Sequence, residues 1–308
     1  TTTYVYGNQS QNQMVDAVYS VSYDGADSLH YEYDSLGRRT ERMIALEDAP
    51  YKAVYTYLDG RTENETTTLI QSVWQDGRTT SYQYDNVGNI IEIAEDGEIS
   101  RQYTYDDLNQ MLTETIDGVT TTYTYDAGGN ILSRTKEGQT DTWSYTDPVW
   151  KDLLTSYNGQ TITYDEVGNP LSYRNGMTMS WTRGMDLSGI TQGDNAISYT
   201  YDADGIRTSK TVNGATTTYI LDGSTILGEK RSDGTTIRYL YDESGTPYAF
   251  FYNSQVYYYV YNAQGDVIEI MSTSGSDIAW YKYDAWGNVI GIGGDESIAE
   301  LNPIRYRG

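Results

Sequence analysis

The stretch "YQYDNVGNI", residues 82–90, sets two tyrosines one position apart, then an aspartate, then a glycine three positions on. The same phrase returns along the whole chain. Tyr-Asp pairs with another aromatic or β-branched residue two positions earlier fall at Tyr33, Tyr84, Tyr105, Tyr125, Tyr164, Tyr201, Tyr241 and Tyr283, and Tyr261-Asn262 is a ninth copy. Most separations lie near one or two multiples of twenty, and worn copies around Asp59, Asp147, Trp181 and Asp222 fill the gaps, which gives roughly thirteen units. A period of this length specifies a repeat architecture before any single residue is considered.

A second comb is interleaved with the first. Asp76-Gly77, Asp96-Gly97, Asp117-Gly118, Glu137-Gly138, Asn158-Gly159, Asn175-Gly176, Asn213-Gly214 and Asp233-Gly234 are two-residue hairpin signals, in which both central residues take positive φ. Each unit then reads as strand, turn, strand, turn. Alternation agrees: Tyr82 and Tyr84 share one face of their strand, as do Ile91 and Ile93 of the next.

The D-x-x-G phrase has its own turn logic. The acid at Asp34, Asp85, Asp106, Asp126, Asp165, Asp202, Asp242 and Asp284, or Asn262 in the ninth copy, can accept N–H bonds from the residues that follow it. The third position after it is Gly37, Gly88, Gly129, Gly168, Gly205, Gly245, Gly265 or Gly287, where a left-handed residue is needed. The exception is Asn109, the side chain that best tolerates that conformation after glycine. These Tyr, Asp and Gly positions are therefore expected to be structural repeat turns and not reaction centres.

About 26 strands at roughly 4.8 Å spacing make a sheet roughly 125 Å from edge to edge. Open twisted sheets rarely exceed about ten strands without curling or closing. The expected fold is all-β: a long antiparallel meander of hairpins coiled into a spiral or an open, hollow, barrel-like shell. Residues 1–308 read as a single continuous array, least regular over 35–80 and 141–195, where a brief helix or a packed loop is expected to interrupt it. Leu, Ile, Val and Phe together make up under a fifth of the chain, so burial must rest on its 33 Tyr and 6 Trp, whose polar edges need partners or water.

The net charge of -24 argues against nucleic acid and against anionic membrane surfaces, and no apolar run is long enough for membrane insertion by a helix. The first residues carry no basic-then-apolar leader, so any signal peptide or anchor is expected outside these residues. With no cysteine there is no thiolate chemistry, and His30, the single histidine, is better read as a surface or turn residue than as a general base. One Asp per turn offers too few oxygens for calcium. The expectation is no catalytic residue, no metal and no cofactor.

Repeated Y-x-Y-D-x-x-G-N/R resembles the YD or RHS repeat of bacterial RHS polymorphic toxins, wall-associated proteins, Tc toxin C components and animal teneurins. The tail, "YDAWGNVIG" at 283–291 and "LNPIRYRG" at 301–308, resembles the start of the RHS-associated core segment. Its self-cleaving Asp-Pro region has no counterpart in these residues. The resemblance implies a non-enzymatic structural shell fragment of a large secreted or cell-surface bacterial protein, whose partner is a C-terminal effector or toxin domain of the same polypeptide. The alternative is a cell-surface adhesin binding glycans, with Trp150, Trp181, Trp280 and Trp286 as its candidate contacts. A teneurin-like origin is less favoured because cysteine-rich and glycosylated flanks are absent, Asn64-Glu65-Thr66 being one matching sequon that chance supplies.

Overall fold

The computed structural model describes residues 1–308 apart from Asn12, Arg61, Glu63 and Asn64, so the sequon at Asn64 lies outside the described residues. Twenty-eight strands are described, paired antiparallel in chain order: fifteen in one sheet, thirteen in the other. The long antiparallel meander is therefore the fold. It passes from one sheet to the next within residues 145–176, where Ser156–Tyr157, Gln160–Thr161 and Ser172–Tyr173 are strands of only two residues. Two prolines, Pro148 and Pro170, stand in this segment and have no N–H to give a ladder, and Tyr164 meets Pro170 through one isolated bridge. The irregularity expected over 141–195 is thus a run of loops and a 3₁₀ turn at Arg174–Gly176. Over 35–80 no helix is described; the meander continues with two of its longest strands, Tyr51–Asp59 and Thr66–Gln75.

The chain divides into two compact units. The first joins residues 1–103 to 239–308, and here the meander does bury a dense apolar core. Strands Ala26–Tyr33 and Arg39–Ile44 turn Leu29, Tyr31 and Ile44 inward against Tyr248, Ala249 and Val260 of strands Pro247–Tyr252 and Gln255–Tyr261. Side chains sew the two layers together. Tyr31 Oη donates to Asp242 Oδ2 at 3.3 Å, Gln75 Nε2 to the Tyr261 carbonyl at 2.9 Å, and Arg101 Nη1 to the Tyr283 carbonyl at 2.9 Å. Helix Glu296–Leu301, capped by the Asp295 side chain, closes one side with buried Ile298, Ala299 and Leu301. Just after it, buried Asn302 accepts the Tyr259 hydroxyl at 2.8 Å while its Nδ2 holds the Ile304 carbonyl at 2.6 Å.

The second unit, residues 104–238, is held differently. Of the largest side chains buried almost completely, only Ile237 belongs to it. In its place run cross-strand hydroxyl pairs, Thr115–Thr120, Thr135–Thr140 and Thr211–Thr216, at 2.8 to 2.9 Å. Arginines lie over tyrosine rings beside them, as Arg207 does over Tyr199 at 4.3 Å. Such pairs are each worth only about 0.2–1 kcal/mol, so this unit depends on their number and on the ladder itself. The expectation that burial rests on aromatic rings whose polar edges meet partners or water describes this unit, whereas the first adds buried aliphatic side chains such as Val21, Leu29 and Ile44.

One buried acid of the first unit sets a pH dependence. Burial, reinforced by a hydrogen bond and negative charge from Asp277, pushes the Glu269 carboxyl well above the ordinary range, although Arg78 Nη2 stands 3.8 Å away and opposes the shift. The native state therefore holds a proton there that the unfolded chain has released. Stability from this group is full below its unfolded value near 4.5 and is lost as pH rises toward about 8. Urea unfolding across that window should show the loss, and Glu269→Gln should flatten it.

Candidate functional site

The repeated turn is the element that the sequence singles out, and its geometry recurs at every copy. At Asp85 the N–H groups of Val87 and Asn89 donate to one carboxylate oxygen at 3.0 and 2.9 Å. The side-chain amide of Asn89 donates to the other oxygen at 2.8 Å. The Gly88 N–H closes onto the Asp85 carbonyl, and the Asp85 N–H pairs with the Asn89 carbonyl. The same two N–H bonds to a single side-chain oxygen form at Asp34, Asp106, Asp126, Asp165, Asp202, Asp242, Asn262 and Asp284.

The third position is left-handed throughout. Gly37, Gly129, Gly168, Gly205, Gly245, Gly265 and Gly287 all have positive φ, and Asn109 sits at φ 62° where the other copies have glycine. The fourth position was visible in the motif, but its role was not. Asn89, Asn130, Asn169 and Asn288 each tie the acid's second oxygen, and Arg38 Nε does so for Asp34 at 2.6 Å. In the ninth copy the pair is reversed, with Asn262 donating to Asp266 at 2.8 Å. These bonds stabilise the charged form. The Asn130 side chain and backbone N–H groups hold the Asp126 carboxyl below its usual value, and at Asp85 and Asp165 similar bonds outweigh the opposing effect of desolvation.

The tyrosine preceding the acid supplies the second fixed contact, and the strand register shifts at Tyr33, Tyr84, Tyr125, Tyr201, Tyr261 and Tyr283. Its hydroxyl reaches back to a main-chain carbonyl: Tyr84 to Ile70, Tyr125 to Met111, Tyr164 to Leu154, Tyr201 to Leu187, Tyr283 to Val267, at 2.7 to 2.8 Å. Tyr33 bonds Val18 in the same way, and Tyr261 bonds Pro247. Tyr105 and Tyr241 occupy the matching ends of strands Glu98–Tyr105 and Thr236–Tyr241. Even a worn copy keeps the contact, since Trp181 Nε1 donates to the Pro170 carbonyl at 2.8 Å. No sequence pattern points at a carbonyl, so only the need of a half-buried phenol for a partner could have suggested it.

The two-residue turns at Asp76-Gly77, Asp96-Gly97, Asp117-Gly118, Glu137-Gly138, Asn158-Gly159 and Asn213-Gly214 have positive φ at both positions, as does Asn175-Gly176, where Tyr173 pairs with Met177 and Arg174 makes the loop three residues long. Asp233-Gly234 does not. Only Gly234 is left-handed there, its N–H bonds the Arg231 carbonyl, and the turn is one residue longer than the dipeptide suggests. Asn253-Ser254 is a two-residue turn without a glycine, with Ser254 at φ 62°.

The candidate glycan contacts do not share one element. Trp150 lies over Gly168 in the second unit, where Trp181 is tied to Pro170. Trp280 covers Gly291 and Gly293 in the first, and Trp286 stands in the Asp284 turn. His30 Nε2 is 3.7 Å from Asp27 Oδ2 on strand Ala26–Tyr33, a partly exposed pair.

Compared with known proteins, the family described as Teneurin YD-shell matches residues 93–292, about two thirds of the chain. The chain belongs to this family. Among curated relatives, the tRNA3(Ser)-specific nuclease WapA of Bacillus spizizenii is 38% identical over 161 residues, half of the chain. The chain spans about 7% of that relative's length. The crystal structure of TcdB2-TccC3-Cdc42 superimposes over 100% of the chain and 18% of its own, with a TM-score of 0.75 at 17% identity. The crystal structure of TcdB2-TccC3 without hypervariable C-terminal region does so over the same shares, with a TM-score of 0.69 at 17% identity. The fold of this YD-repeat chain is thus that of the matching stretch of these Tc proteins.

Two glycines separate backbone strain from packing. A Cβ on Gly88 would meet nothing within 4 Å, whereas one on Gly287 would lie 2.4 Å from the Tyr306 ring. Gly88→Ala should cost about 1–2 kcal/mol in urea unfolding, with Gly88→Asn recovering much of it. Gly287→Ala should cost about 1–3 kcal/mol more for the displaced ring. Conversely, Ser254→Gly should raise stability by roughly 0.5–1 kcal/mol, read as a higher urea midpoint.

Proposed function

We propose that this chain is one continuous stretch of YD-repeat wall in a larger secreted or cell-surface protein, and that the wall encloses or presents a C-terminal effector domain of the same polypeptide. The wall itself is structural and carries no chemistry. One observation carries this reading: at eight turns the recurring Asp, and at the ninth Asn262, uses a side-chain oxygen on the backbone N–H groups that follow it, so the most conspicuous reactive-looking residue of the sequence is engaged in shaping the chain. The family match and the likeness of fold to the Tc proteins support it.

The nuclease named among the relatives has most of its length outside the matched 161 residues, and we place any such activity there. A chain with 44 acidic against 20 basic residues repels a phosphate backbone, which supports this assignment. Two measurements test the proposal. The purified chain incubated with tRNA should leave it intact, and sustained cleavage that survives repurification would overturn the non-enzymatic reading. Negative-stain imaging and limited proteolysis of the full-length parent should show a shell protecting a C-terminal domain. A filled particle with that domain freely accessible would overturn enclosure.

A further inference from the structure

The first unit contains a cavity of about 480 Å³ between its two layers, at the Asp242 and Asn262 turns, and arginines stand in its lining. In a chain with 44 acidic and 20 basic side chains, a buried guanidinium should find a carboxylate readily. These do not. Arg42 is only 7% exposed, yet Nη1 and Nη2 both reach one acceptor, the Tyr259 carbonyl, at 3.4 Å each. Arg39 lies over the Tyr31 ring at 4.2 Å, and its buried Nε has no hydrogen-bond partner. Among the described residues neither arginine forms an ion pair with a carboxylate.

The acids nearby are otherwise engaged. Asp242, which lines the cavity, gives Oδ1 to the N–H groups of Ser244 and Thr246 and Oδ2 to the Tyr31 hydroxyl. Glu243 acts on Arg39 only at Coulombic range, and burial raises its carboxyl above the usual value. Arg307 at the rim is spent on the Asn262 turn, with Nη1 donating to the Gln264 carbonyl at 2.6 Å. Two guanidinium groups with donors to spare thus share one recess.

We propose that this cavity binds a ligand carrying a single carboxylate, held by Arg39 and Arg42, with its carbon skeleton against the rings of Tyr57 and Tyr261. A carboxylate matches the planar two-donor fork of guanidinium. Asp242 lines the same cavity, which favours a ligand of one negative charge over a dianion such as phosphate. The volume suits one acidic amino-acid side chain or one acidic monosaccharide and lies within the usual range of small-molecule sites, about 300–1,000 Å³.

Calorimetric titration of the whole chain separates the sources. One arm uses N-acetyl-L-glutamate α-methylamide, which carries only the side-chain carboxylate, with N-acetyl-L-glutamine α-methylamide as its neutral control, a second uses D-glucuronate with D-glucose, and a third uses inorganic phosphate. Saturable binding of either carboxylate over its neutral control is expected, and the arm that binds identifies the source. Arg39→Met should weaken it about tenfold or more at an unchanged melting temperature, and Arg39→Lys, which keeps charge but not the fork, should fall between. Because Arg42 is buried and its replacement can disturb folding, the two Arg39 variants carry the test. Failure of both carboxylates to saturate, tighter binding of phosphate than of either, or undiminished binding by Arg39→Met would overturn the proposal.

Discussion

A side-chain oxygen that accepts two consecutive-turn N–H groups is the constraint on which the rest of the molecule depends. In each repeat it fixes where the strand ends, and the left-handed residue at the third position turns the chain back in register. The register shift at the preceding tyrosine aims its ring so that the hydroxyl meets a main-chain carbonyl. Turn, shift and ring contact arise from adjacent residues of one short phrase, so each unit carries its own folding instructions. A long meander built from such units needs few distant contacts to choose its register, since a slip by one residue would leave every one of these bonds unmade.

The two units show what the same phrase can be combined with. In the first, aliphatic and aromatic side chains, Leu29, Ile44, Phe250 and Ile270 among them, are fully excluded from water, and cross-layer bonds such as Arg101 to Tyr283 tie distant parts of the sequence. There the repeat serves as the surface of an ordinary core. In the second, threonine pairs and arginine–tyrosine contacts replace that core, and Glu114 and Glu229 are among its few buried side chains. The tyrosine-rich composition reflects this second mode, in which a ring gains area while its hydroxyl stays satisfied.

Much of this was legible in the chain because it is local. The acids, the glycines and Asn109 declare their turns through backbone conformation alone, and the family resemblance rests on those same residues. What the sequence left hidden is what depends on partners. The carbonyl that receives each tyrosine is defined by pairing, not by a side chain. Asp233-Gly234 was misread because its extra residue is set by how Arg231 and Thr235 pair. Asn253-Ser254 escaped because serine seldom takes a left-handed conformation. Arg39 and Arg42 are three apart on a strand, where simple alternation puts them on opposite faces, but the register shift opposite Tyr33 falls between them and both side chains line one cavity.

In the second unit, strands make their substantial contacts with sequence neighbours alone. Duplicating or excising a complete hairpin there would create two new junctions between near-identical surfaces and orphan no distant partner. Genomic expansion and contraction of such tandem segments can therefore adjust the length of this part of the protein without any redesign of its interior, a freedom that the densely packed first unit does not share.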